Sequence, residues 1–242
     1  VPMTYTLDDR ILRYHAESFA GSPYSDRIWV GLGTWLFAKQ PARALEQIAI
    51  ARRAGTAGDA LFSWDAIADA GYRVIAVDLK GYGHSDKPLP MSPHGDYRIS
   101  RLADEIGELI QTLGYEQVDV VGHDWGGAIA WAAALRHPHR IERLIVLNAP
   151  HPFIFQRSLF DSPEQRAASH YIRTFRDTRI DQGLVGKGIE KFFGTSFARW
   201  LTHAVGGADK AAYLEEWSQP GAMTAMLNWY RAAAIIVPDQ DE

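Results

Sequence analysis

The arrangement best suited to chemistry in this sequence is an aspartate with a glycine two residues to either side, Gly122-His123-Asp124-Trp125-Gly126, followed by Gly127. Val118 to Val121, just before it, is a short β-branched run that reads as a buried strand, and Gly126 to Arg136 reads as an alanine-rich helix that stops ahead of Pro138. A strand that turns this sharply into a helix holds its central residue in strained backbone, and glycines at these two spacings remove the side chains that would collide. That is the form of a nucleophile elbow. The unpaired NH groups and the positive dipole end of the following helix favour a carboxylate at Asp124, and the NH of Trp125 can point at a developing oxyanion. A plainer reading stays open, in which Asp124 only caps the helix.

The residue type narrows the reaction. A serine in this frame needs a histidine before it can attack, whereas a carboxylate, with an ordinary pKa of about 4, is ionised at neutral pH and can displace a leaving group at saturated carbon unaided. The product would be an alkyl ester on the protein. Its hydrolysis would need a base-activated water and an oxyanion hole. Epoxides and alkyl halides are substrates that suit such a route.

The elements that must hold Asp124 follow a strand-helix alternation. Arg73 to Val77 reads as a buried strand, ending in Asp78 and the turn-rich Gly81 to Ser85. Leu102, Ile106, Leu109, Ile110 and Leu113 keep helical spacing after a cap at Ser100, with Gly114 as the stop, and Leu144 to Leu147 is a third strand. This order predicts a mostly parallel sheet flanked by helices. After Pro152 aromatic residues become dense and helical periodicity dominates to about Ala234. The first sixty residues are less regular: a strand-like Thr4 to Tyr14, a loop containing Gly31 and Gly33, and a helix from Pro41 to Arg53.

From Phe62 to Ala232 the sequence resembles the epoxide hydrolase branch of the α/β-hydrolase family, through FSWDAIADAGYRVIAVDLKGYGHSDKP, VVGHDWGGAIAW and LNAPHPF. The resemblance implies an α/β-hydrolase fold: a core over residues 1–152 (1–61 matching poorly), a helical cap over 153–234, and in 235–242 the start of a return to a core whose C-terminal part is missing. It also implies that two cap tyrosines bind the epoxide oxygen and donate a proton as the ring opens. Tyr171, in SHYIRTFRD, is similar to the first and Tyr230, in AMLNWYRA, to the second. A phenol, with pKa near 10, is still protonated at neutral pH and suits that task. Trp125 and Phe175 are expected to line the substrate pocket. Haloalkane dehalogenases share the aspartate and the tryptophan after it, so that activity remains the alternative, together with a non-catalytic ligand-binding member of the fold.

The sequence departs from the family in two places. The His-Gly-X-Pro loop that supplies a second oxyanion donor is absent, with Gly31, Leu32, Gly33, Thr34 and Trp35 as its only counterpart. The family's general-base histidine and its acid follow the cap, whereas this sequence ends at Glu242, so a truncated chain is expected. None of the nine histidines (His15, His84, His94, His123, His137, His139, His151, His170 and His203) has the surroundings of a substitute base or a metal ligand, so neither metal nor cofactor is expected.

Composition excludes several other classes. At 242 residues and 47% hydrophobic, the chain is long enough for a sizeable core. A net charge of -4 without a basic stripe argues against nucleic acid, and the lack of cysteine excludes disulfides and thiolate metal sites. No apolar run approaches the ~18 residues a membrane helix needs. A cytoplasmic protein acting on a small apolar epoxide and water is the expectation, with oligomeric state left open.

Overall fold

A computed structural model of the chain describes residues 28–33, 73–83, 85–88, 96–194 and 207–239. They fall into two compact units. The first holds the sheet with Gly83, Ser85 and residues 100–150, and the second holds Lys80–Tyr82 and residues 86–88, 96–99, 151–194 and 207–239.

In the first unit four strands, β1 (Ile28–Gly33), β2 (Arg73–Asp78), β3 (Val118–His123) and β4 (Ile141–Leu147), form a parallel sheet in the order β2-β1-β3-β4. Val30 pairs with Ile75 on one side and Val120 on the other, and Val120 pairs in turn with Leu144. Parallel neighbours need long crossovers, and helices α1 (Ile99–Thr112) and α2 (Trp125–Arg136) supply them before and after β3. Ile75, Val77, Val120 and Val121 of the strands are buried, as are Leu102, Ile106 and Ile110 of α1 and Ile129, Ala130 and Ala133 of α2.

Two expectations need correction here. The segment with Gly31 and Gly33, read as a loop, is β1, an interior strand of the described sheet. Two glycines in six residues weaken a strand locally, but main-chain pairing to a neighbour on each edge does not depend on side chains and overrides that weakness. Ser100 does not precede α1 but lies in its first turn, because the helix begins at Ile99. The stop at Gly114 is as expected: its φ is +83°, and the NH groups of Gly114 and Tyr115 donate to the carbonyls of Gln111 and Ile110, the paired bonds of a Schellman ending. The strand-like Thr4 to Tyr14 and the helix from Pro41 to Arg53 lie outside the described residues.

The second unit is helical: α3 (Pro152–Asp161), α4 (Pro163–Ala168), α5 (Tyr171–Arg176), a 3-10 helix (Thr178–Gly183), α6 (Lys187–Phe193), α7 (Gly207–Trp217) and α8 (Ala222–Ala232). Trp229 of α8 is almost fully buried; its Nε1 donates to the Lys80 carbonyl at 2.9 Å and its ring meets Tyr82 edge-on at 5.6 Å. The residues after α8 are fastened to the same unit. Gln156 exchanges two hydrogen bonds of 2.8 Å with the main chain of Ile236, and Arg173 donates to the Val237 carbonyl at 3.0 Å and pairs with Asp239. Among the described residues no helix is long and apolar enough to cross a membrane.

Candidate active site

Asp124 stands at the junction of β3 and α2 with φ 53° and ψ -122°, a conformation that non-glycine residues seldom adopt. Its main-chain NH donates to the Leu147 carbonyl of β4 at 3.3 Å, and its carbonyl accepts the first bond of α2, from Ala128, at 3.1 Å. Its side chain makes no capping hydrogen bond. A carboxylate that served only as a helix cap would turn back to the NH groups it caps, so this geometry counts against the plainer reading of Asp124.

Space explains Gly122 and Gly127. A Cβ on Gly122 would lie 2.5 Å from the Gly126 carbonyl oxygen, and one on Gly127 would collide with Ala149 Cβ and lie 3.2 Å from Val146 Cγ1. The bend therefore brings β3, α2 and the residues after β4 closer together than side chains at these positions would allow. Trp125, the first residue of α2, is 7% exposed.

The three aromatic residues singled out from the sequence share the second unit. Tyr171 opens α5 and Phe175 lies one turn later on the same face; Tyr230 is in the last turn of α8. The rings of Tyr171 and Tyr230 are 5.9 Å apart at 79°, those of Tyr171 and Phe175 5.6 Å apart, and those of Phe175 and Tyr230 4.9 Å apart. Edge-to-face packing of this kind is favourable beyond the area it buries. Phe175 is 6% and Tyr230 7% exposed, while Tyr171 is half-buried. Asp124 and Trp125 thus belong to the first unit, and Tyr171, Phe175 and Tyr230 to the second.

Two arginines not singled out from the sequence hold the tyrosine-bearing helices. Arg176, the last residue of α5, donates from Nε to the Tyr230 carbonyl at 2.9 Å and from Nη2 to the Ala233 carbonyl at 2.8 Å. Burial pushes its guanidinium below its ordinary pKa. Arg231, next to Tyr230 and 7% exposed at its side chain, donates to Asp181 Oδ1 at 2.5 Å and to the Asp177 carbonyl at 3.3 Å. A basic residue in the last turn of each helix was the available signal.

His137 and His151 have polar partners. His137 lies 2.9 Å from Asp104, whose carboxyl is held below the usual range chiefly by Arg136, which donates two bonds of 2.8 Å to it. His151 is the N-cap of α3 and accepts from the Phe153 NH at 3.2 Å. His123 closes β3, half-buried. His15, His84, His94 and His203 lie outside the described residues, as do Thr34 and Trp35 of the segment compared with the absent His-Gly-X-Pro loop. Among the described residues no group of three or more His, Asp or Glu could hold a metal ion.

Comparison with known proteins gives this geometry a setting. The family described as alpha/beta hydrolase fold matches residues 62–175. The AB hydrolase superfamily protein YfhM of Bacillus subtilis (strain 168) is 42% identical over 170 residues, 69% of this chain and 57% of its own. Epoxide hydrolase 3 of Xenopus tropicalis is 36% identical over 171 residues, covering 66% of this chain and 45% of its own. The chain spans about half the length of these curated relatives. A solved structure described as one of the novel epoxide hydrolases belonging to the alpha/beta hydrolases superfamily in metagenomes from hot environments aligns with a TM-score of 0.67 and 32% identity, over 91% of this chain and 67% of that one.

Proposed function

Because the chain belongs to the α/β-hydrolase family, we propose that it serves epoxide opening, with Asp124 as the nucleophile of an elbow and Tyr171 and Tyr230 as proton donors from a helical cap. The observation that carries the proposal is the backbone at Asp124: a carboxylate in a strained positive-φ conformation, at a helix N-terminus, making no capping bond. Strain of this kind persists where the surroundings enforce it, and it clusters at functional sites. The names of relatives and of a structural neighbour point to the same substrate class.

In the first half-reaction a carboxylate oxygen of Asp124 forms a bond to an epoxide carbon while the ring C–O bond breaks. The electron pair stays on the ring oxygen, which takes a proton from a phenol of Tyr171 or Tyr230, and the phenolate regains a proton from water. The product is a hydroxyalkyl ester on Asp124. In the second half-reaction water adds to the ester carbonyl, the Trp125 NH meets the oxyanion, and collapse releases a diol and restores the carboxylate. That water needs a general base. Phe175 and Trp125 supply apolar surface for the substrate.

Incubating the chain with an aryl epoxide and reading its intact mass tests this. We expect an adduct of one epoxide that Asp124→Ala abolishes and that Tyr171→Phe or Tyr230→Phe forms about 10²-fold more slowly, the lower range for a positioned acid. A folded chain that gains no mass, or an adduct that survives Asp124→Ala, would overturn the proposal.

A further inference from the structure

We propose that Arg176 is a positioning residue for epoxide opening, holding the Tyr230 phenol in register with Tyr171 by clasping the C-terminal end of α8. The inference rests on the reading of the two phenols given above.

The last carbonyls of a helix have no partner within it. The Trp229 carbonyl of α8 still receives the Ala233 NH at 3.1 Å, but the carbonyls of Tyr230 and Ala233 turn to Arg176 of α5, at 2.9 and 2.8 Å. Two donors on one planar guanidinium define a direction as well as a distance. The positive group also sits at the negative end of the helix dipole. Among the described residues no carboxylate pairs with Arg176, so main-chain oxygen is what holds it. The reverse contact exists too: Arg231 of α8 donates to the carbonyl of Asp177, the C-cap of α5, at 3.3 Å. Each helix therefore sends an arginine to the other's C-terminal end.

The ring contacts of Tyr171, Phe175 and Tyr230 restrain separation of the helices, but apolar contacts resist sliding weakly. A slide of α8 along α5 would move the Tyr230 phenol relative to Tyr171, and a misplacement of about 1 Å can cost about 10²-fold in rate. The paired bonds from Arg176 to the main chain of Tyr230 itself oppose that slide. A guanidinium placed merely to stabilise the unit would have the same effect whatever side chain residue 230 carried.

That difference sets the experiment. The rate of adduct formation with an aryl epoxide is measured for the wild type, Arg176→Gln, Tyr230→Phe and the double variant. Arg176→Gln should slow ring opening at saturating epoxide about tenfold, with the half-saturating concentration changed less than about twofold. In the Tyr230→Phe background the same substitution should change the rate less than about twofold, because the group it positions is gone. Arg176→Lys, which keeps a charged donor, should recover part of the loss; it also serves if the glutamine variant fails to fold. Equal slowing in both backgrounds, or none in the single variant, overturns the proposal. A substrate-free reading runs in parallel: the near-UV circular dichroism due to Tyr230, taken as wild type minus Tyr230→Phe. Its collapse in the Arg176→Gln background with the far-UV spectrum unchanged supports positioning, and its persistence at full strength overturns it. A wild type that forms no adduct overturns the proposed function, and the dichroism then decides the role of Arg176 by itself.

Discussion

At the scale of single residues, the passage from β3 into α2 contains two sites where substitutions should act in opposite directions. Asp124 is held at φ 53° and ψ -122°, a conformation that costs a non-glycine residue on the order of 1–3 kcal/mol. Glycine adopts it freely but loses about 0.5–1 kcal/mol through the greater entropy of its unfolded chain. Asp124→Gly should therefore stabilise the fold by roughly 1 kcal/mol, a rise of about 2–4 °C in Tm by differential scanning calorimetry, while abolishing the adduct. Gly127→Ala does the reverse. Its new methyl would meet Ala149 Cβ, and forcing an extra carbon into a packed position costs about 1–3 kcal/mol, readable as a lower urea midpoint with an unchanged slope. Gly122 was legible in the sequence because its constraint is local, a Cβ there meeting Gly126 and Gly127, whereas the crowding at Gly127 comes from Val146 and Ala149 and arises only in the folded chain. The missing capping bond at Asp124 was not legible, because a side chain's choice among partners is made only in the folded chain.

At the scale of elements, the link between α5 and the 3-10 helix depends on Asp177. This residue ends one helix, caps the next by accepting from the Arg179 NH at 2.9 Å, and offers its carbonyl to Arg231. The side chain of Arg179, and then its main-chain NH, pull the Asp177 carboxyl down from 3.8 to about 2. A group whose pKa falls on folding stabilises the fold above its unfolded value and loses that contribution as pH drops through the folded one. Asp177→Asn should thus be slightly less stable than the wild type at pH 7, with the gap closing between about pH 4 and 2. Urea midpoints measured across that range check the sign; a gap that widens on acidification would contradict it. The gap is small because Asp177 is only half-buried and its partner Arg179 is exposed, so solvent screens the pair. α1 was legible from its periodicity and α2 from its alanine-rich composition ahead of Pro138. β1 was not, because its two glycines speak for a loop and only the neighbouring strands make it a strand.

At the scale of the whole molecule, the division into two compact units has an energetic consequence. Trp229 anchors the second unit, buried to 1% exposure and bonded to the Lys80 carbonyl. Trp229→Ala should remove about 3–5 kcal/mol of packing and leave that carbonyl without its donor. Because the Lys80 carbonyl and the Tyr82 ring that meet this indole both belong to the second unit, hydrogen exchange should accelerate in α5, α8 and around Lys80–Tyr82 while β3 and α2 keep their protection. Uniform acceleration through both units would show that they unfold as one.

The sequence by itself determined the patterns whose causes act within a few residues: the glycine two before Asp124, the helical spacing of α1, the strand before the bend and the dense aromatics of the helical unit. Only the tertiary structure decided that Ile28–Gly33 lies inside the sheet, that the Asp124 side chain makes no capping bond, and that Arg176 holds the carbonyl of Tyr230, 54 residues away. Backbone sterics and periodicity repeat along the chain and can be read there. The pairing of a donor with one carbonyl among many is settled by which surfaces close together, and local sequence does not encode that closure.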